Sequence, residues 1–211
     1  MTNAATLINQ TSGKVEYYTP ADIVEAARRV MGSIDLDPAS SPAANETVKA
    51  TTFFTEGDDG LARPWFGCVW MNHPFGRDFN RPWVSKLVEE YQAGRVDQAC
   101  CITFASTSEA WFQPLFSFPL CFLSPRTNYR LPDGSILRGV TKGSVVAYLG
   151  DLVASFATVF GRLGRIMLPV AQGLGYEVGV NPSPAYPKPV ASRRQSSPNV
   201  VEAGQLPQMS Y

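Results

Sequence analysis

The sequence predicts an α/β fold, a mostly parallel sheet flanked by helices, on three observations. Short apolar strands alternate with amphipathic helical stretches. Residues 98 to 104 form a continuous apolar run of the kind buried on both faces of a sheet. Two strands run directly into polar stretches marked by proline, Asp37-Pro38-Ala39-Ser40 and Asn72-His73-Pro74-Phe75. Residues just beyond the carboxyl ends of strands are where an open α/β sheet holds its ligand.

The elements follow in order. Thr19 is placed to N-cap a helix with Pro20 at its first position and Asp22 three residues on, as in a capping box. Ile23, Ala27, Val30 and Met31 make its apolar face, and Gly32 ends it. Residues 33 to 37 alternate, with Ile34 and Leu36 inward, and stop at Pro38. Residues 51 to 55 and 68 to 71 read as further strands. Residues 83 to 91 read as a helix with Val84, Leu87, Val88 and Tyr91 on one side, followed by the strand at 98 to 104. Residues 120 to 123 and 145 to 149 add two late strands, and residues 154 to 160 fit either a helix or an edge segment. The folded part is expected over 15 to 171. It is preceded by a polar arm at 1 to 14 and followed by a proline-rich tail at 172 to 211, whose composition buries too little apolar surface to fold.

Composition narrows the function classes. The chain has 211 residues, no net formal charge and 45% hydrophobic residues, as one globular domain with tails would. No run of about 18 apolar residues offers a membrane helix, and the first residues lack the pattern of a secretory signal, so a cytoplasmic protein is expected. Cys68, Cys100, Cys101 and Cys121 lie inside apolar runs without a C-x-x-C pair, and His73 is the only histidine. Buried free thiols are therefore expected, with no metal site. Trp65, Trp70, Trp83 and Trp111 are assigned to packing. Oligomeric state is not legible.

Charge is neutral overall but locally biased. Arg126, Arg130, Arg138 and Lys142 face the single acid Asp133 in a stretch punctuated by Pro132, Gly134, Gly139 and Gly143, a basic loop over 126 to 142. With Arg77 and Arg81, close after the second polar stretch, these cations are the candidates for phosphate contacts.

The second polar stretch, Asn72-His73-Pro74-Phe75, resembles the [DNS]-P-P-[YFW] motif of amino-group methyltransferases. The order of elements is Tyr17-Tyr18-Thr19-Pro20, then Ile34-Asp35-Leu36-Asp37-Pro38-Ala39-Ser40, then Asp58-Asp59-Gly60-Leu61 with Trp65, then 69 to 76. That order resembles the phage-type DNA N6-adenine methyltransferases of the Dam group, over roughly residues 15 to 160. The resemblance implies a class I methyltransferase fold, S-adenosylmethionine as cofactor and adenine in double-stranded DNA as substrate.

It also implies roles. Asn72 and the main-chain carbonyl of His73 would each accept one N–H of the adenine amine, turning the nitrogen lone pair toward the methyl group. Pro74 would hold residue 73 extended, and Phe75 would offer an aromatic face to a flipped base. Tyr18, Thr19, Pro20, Asp37, Pro38, Ala39, Glu56 and Asp59 would surround the cofactor. Two departures stand out: histidine replaces the usual first proline of the motif, and 37 to 41 lacks the glycines that normally let the backbone approach a cofactor. The competing readings are a catalytically weakened DNA- or cofactor-binding relative, and an N-methyltransferase acting on RNA adenine or a protein amide.

Overall fold

The computed structural model describes residues 17 to 170 apart from 132, 139 and 141, and gives only the backbone of Arg77. The arm at 1 to 14 and the tail at 172 to 211 lie outside the described residues. Along the chain the elements are α1 (Ala21–Met31), β1 (Leu36–Asp37), α2 (Pro42–Val48), β2 (Thr52–Phe53), β3 (Gly67–Met71) and α3 (Arg77–Gln92). They continue as β4 (Val96–Phe104), β5 (Leu120–Leu123), β6 (Tyr129–Arg130), β7 (Ile136–Leu137), β8 (Ser144–Leu149), α4 (Val153–Phe160) and β9 (Gly164–Met167).

Seven strands form one sheet in the order β2-β1-β3-β4-β8-β5-β9, while β6 and β7 pair separately. β2, β1, β3 and β4 are mutually parallel. β8 runs antiparallel between β4 and β5, and β9 pairs antiparallel with β5 at the edge. Five strands therefore share a direction and two oppose it, the mostly parallel sheet of a class I methyltransferase fold.

Alternation along the strands builds two cores. Cys68, Trp70, Cys100, Ile102, Val146 and Tyr148 pack on one face with the apolar side of α1 and with Phe156 and Phe160 of α4. Val69, Met71, Ala99, Cys101, Val145 and Ala147 pack on the other with Trp83, Val84 and Leu87 of α3. Covering both faces explains why β3, β4 and β8 read as unbroken apolar runs. All four cysteines are buried free thiols. Trp65, Trp70 and Trp83 are core residues, with Trp65 and Trp83 stacked at 6.0 Å. Among the described residues no helix is long and apolar enough to cross a membrane.

Three local expectations change. Helix α1 begins one residue later than expected: its N-cap is Pro20, with φ −56 and ψ 144, and no side chain caps it. The Tyr18 backbone exchanges two hydrogen bonds with Arg130, at 2.8 and 3.0 Å, which carries the chain extended past Thr19 and leaves that hydroxyl outside capping position. Helix α3 starts at Arg77 rather than 83, continuing through Pro82, which has no N–H to donate to the Asp78 carbonyl and whose ring crowds it. The ambiguous segment is the helix α4.

Candidate active site

Parallel pairing brings the two polar stretches together. Leu36 lies opposite Val69, so Asp37 at the end of β1 and Asn72 just past β3 emerge side by side on one sheet edge. Phe104, at the end of β4, closes the same edge, and its ring stacks on Phe75 at 4.4 Å. Tyr17 and Tyr129 approach Phe75 at 5.7 and 5.9 Å, forming an aromatic wall. Phe104 thus takes one face of the Phe75 ring.

Asn72 has a defined orientation. Its Nδ2 donates to the Tyr17 carbonyl at 2.6 Å. A carbonyl only accepts, so the amide cannot be reversed and Oδ1 must point the other way. That Oδ1 is buried and has no partner among the described residues. A buried acceptor left unmatched costs about 1–3 kcal/mol, a cost tolerated at places meant to receive a ligand.

His73 is 1% exposed. Its Nδ1 lies 3.0 Å from the Pro74 carbonyl, so Nδ1 carries the proton and Nε2 is the bare nitrogen, without a partner among the described residues. Burial pushes its pKa down to about 4, only partly offset by the bond to Pro74. The imidazole is neutral at physiological pH and a weak base. Pro74 itself is exposed.

Asp37 is 2% exposed, and burial raises its carboxyl to about 7 against the opposing pull of its hydrogen bonds. The Ala39 N–H donates to Oδ1 at 3.3 Å, turning the chain at Pro38. Ser41 then caps α2 by accepting from the Ala44 N–H at 3.1 Å, and Tyr18 Oη meets the same hydroxyl at 3.1 Å. The loop that lacks glycines receives one from elsewhere: a Cβ on Gly60 would stand 1.9 Å from the Pro38 carbonyl oxygen. Gly60 and its neighbour Asp59, at φ 52, therefore lie against the Asp37 loop. Glu56 and Asp59 are exposed on this turn, while Asp58 does the local work of accepting from Thr55 N–H and hydroxyl.

The Thr19 hydroxyl, like Asn72 Oδ1, is buried without a partner among the described residues, while the Ser40 hydroxyl faces the Asp37 carboxyl. Two unmatched polar groups and a buried carboxyl, on segments joined by the Tyr18–Ser41 and Tyr17–Asn72 bonds, could hold a polar, partly cationic cofactor. Tyr18, Thr19, Pro38, Ala39 and Asp37 belong to this assembly. Pro20, next to Thr19, lines a cleft of about 490 Å³ together with Arg126, Arg130 and Arg138. Lys142 and Arg81 are exposed but do not line that cleft. Arg77 is the first residue of α3, and its side chain lies outside what is described.

Sequence reasoning missed the part of Tyr17, the residue that orients Asn72. Its signal was its place in the Tyr17-Tyr18-Thr19-Pro20 element, which carries no hint that its main-chain carbonyl is the working atom. It also missed Asn80, whose Oδ1 is buried and unpartnered among the described residues on the first turns of α3.

A family model described as DNA N-6-adenine-methyltransferase (Dam) matches residues 9–117, spanning β1 to β4 with both polar stretches. No curated protein and no solved structure matches the chain. The match covers more than half of the 211 residues and contains the side-by-side Asp37 and Asn72 edge, and on that basis the chain belongs to the Dam family of DNA adenine methyltransferases.

Proposed function

We propose that the protein transfers the methyl group of S-adenosylmethionine to N6 of adenine at a defined sequence in double-stranded DNA, in the cytoplasm. The observation carrying this reading is the buried Oδ1 of Asn72, without a partner among the described residues and held by the donation of Nδ2 to the Tyr17 carbonyl. When bound, S-adenosylmethionine supplies a methyl group activated by its sulfonium. The chain's own residues must make adenine nitrogen nucleophilic, because its lone pair is delocalised into the ring. Asn72 Oδ1 and the His73 carbonyl each accept one N–H, favouring a more tetrahedral nitrogen with its lone pair aimed at the methyl. With the methyl supplied by the cofactor, Asn72 Oδ1 and the His73 carbonyl would hold the amine while positive charge builds on nitrogen, and its surplus proton would leave to water rather than to a side chain.

No imidazole base is needed, and the depressed pKa of His73 fits a residue acting through its main chain. Pro74 confines residue 73 to extended backbone, so its carbonyl survives the exchange of proline for histidine. Phe75 borders the base with the face not taken up by Phe104. Asp37, Pro38, Ala39, Tyr18, Thr19, Glu56 and Asp59 surround the cofactor, and Arg77, Arg81, Arg126, Arg130, Arg138 and Lys142 contact DNA phosphates. The test is incubation with tritiated S-adenosylmethionine and unmethylated DNA, followed by mapping of modified bases. Label in N6-methyladenine supports the proposal; label only in RNA or protein, or none, overturns it.

A further inference from the structure

We propose that the arginine-lined cleft is the groove for the DNA phosphodiester backbone, and that its far wall is Arg162, a residue outside both the basic loop and the family match. This rests on the reading of the protein as a DNA methyltransferase. Three distant parts of the chain build the cleft: the start of α1, the stretch from β5 through β7, and the turn between α4 and β9 that carries Arg162. The β5 end is held to that turn by the Ser124 N–H donating to the Leu163 carbonyl at 2.9 Å.

Charge is concentrated there against the trend of the molecule. Arg126, Arg130, Arg138 and Arg162 line the cleft with one carboxylate, Asp22, four formal positive charges against one negative, in a chain whose net charge is zero. Arg126 is held in place by donating Nη1 to the Val140 carbonyl at 2.6 Å. Arg130, Arg138 and Arg162 are exposed, and among the described residues no carboxylate pairs with them. Guanidinium forks match phosphate oxygens in geometry as well as charge. The cleft volume falls in the range that holds ligands of several hundred Å³, far more than one small anion fills. A run of backbone phosphates fits it better.

Position supports the same occupant. Arg130 exchanges main-chain hydrogen bonds with Tyr18, and the preceding Tyr17 holds Asn72. The cleft therefore begins one β-bridge away from the acceptor expected to receive the adenine. The strand pairing that carries Arg130 thus ties the cleft to the segment that orients Asn72.

The experiment uses the full chain and Arg162→Gln, with Arg29→Gln as control. Arg29 is exposed at the far end of α1, so its loss removes the same charge elsewhere. Binding of a short duplex is followed across a salt series, with thermal stability and cofactor affinity measured alongside. Arg162→Gln is expected to weaken binding for any duplex sequence and to make the slope of log affinity against log salt shallower by about 0.9, with stability and cofactor affinity unchanged. Arg29→Gln is expected to leave the slope as in wild type, and inorganic phosphate at matched ionic strength to leave the duplex bound. An unaltered slope for Arg162→Gln, an equal fall for Arg29→Gln, or displacement by phosphate alone overturns the groove. Failure of the methyltransferase reading is seen separately, as wild-type protein that binds duplex through the cleft yet labels no adenine.

Discussion

Replacing Asp37 by Asn is expected to stabilise the protein at alkaline pH while weakening its hold on the cofactor. Burial raises the Asp37 carboxyl to about 7 from the ordinary 3.8. A raised pKa means that the folded state binds the proton more tightly than the unfolded state. This contribution is complete below pH 3.8 and is lost as pH rises through 7. At 1.36 kcal/mol per pH unit, the loss amounts to about 4 kcal/mol. Asn keeps the size and stays neutral, so the variant escapes it. His73 works in the opposite sense. Its pKa is lowered from 6.5 to about 4, so its contribution is complete above 6.5 and is lost as pH falls towards 4, by about 3 kcal/mol. In wild type the two slopes nearly cancel between pH 4 and 6.5, and the Asp37 slope alone remains up to 7. In Asp37→Asn only the histidine slope survives, so stability rises from pH 4 to 6.5 and then levels. Urea midpoints measured over a pH series, with calorimetry of S-adenosylmethionine binding, test both halves. Parallel pH curves for the two proteins refute the buried-acid argument; equal cofactor affinities remove Asp37 from the site.

Asn72→Ala removes the preorganised acceptor and is expected to cost about 2–4 kcal/mol of transition-state stabilisation, read as kcat on duplex DNA, with the fold retained. His73→Pro should keep methyl transfer, and the wild-type rate should show no break near the ordinary histidine pKa, because the imidazole is pushed down to about 4. A folded, cofactor-binding His73→Pro protein that is inactive would assign the chemistry to the ring instead. Gly60→Ala sets a methyl against the Pro38 carbonyl oxygen, where 1.9 Å leaves no room, and should cost about 1–3 kcal/mol of stability together with cofactor affinity. An unchanged melting temperature would show that the loop gives way freely.

Much of the molecule was readable because each strand carries its own pattern. β3, β4, β5 and β8 are apolar runs bounded by polar residues, and the N-H-P-F stretch announces itself by following one of them. The elements that escaped are short or depend on partners distant in sequence. α2 has seven residues, β6 and β7 two each, and β9 carries Arg165 among four. Thr19 illustrates the limit well: its local pattern is that of a cap, but the bridge from Tyr18 to Arg130, more than a hundred residues away, decides its geometry. The orientation of Asn72 was beyond reach for the same reason, since its anchor is a carbonyl 55 residues earlier in the chain. The basic loop was visible as a cluster of cations, whereas Arg162 joins that cleft only through the sheet's late strands.

The place of β8 in the sheet also governs the order in which this protein can be assembled. β5 follows β4 in sequence but is separated from it in space by β8, which the ribosome delivers more than twenty residues later. Until residue 149 has emerged, the growing chain presents β4 as a long bare edge carrying Cys100, Cys101 and Ile102, and β5 has nothing to pair with. Such an edge invites pairing with other nascent chains. A fragment cut to the family match at residue 117 would keep that edge permanently, so the matched part should aggregate when expressed alone, and adding the residues through β9 should rescue its solubility.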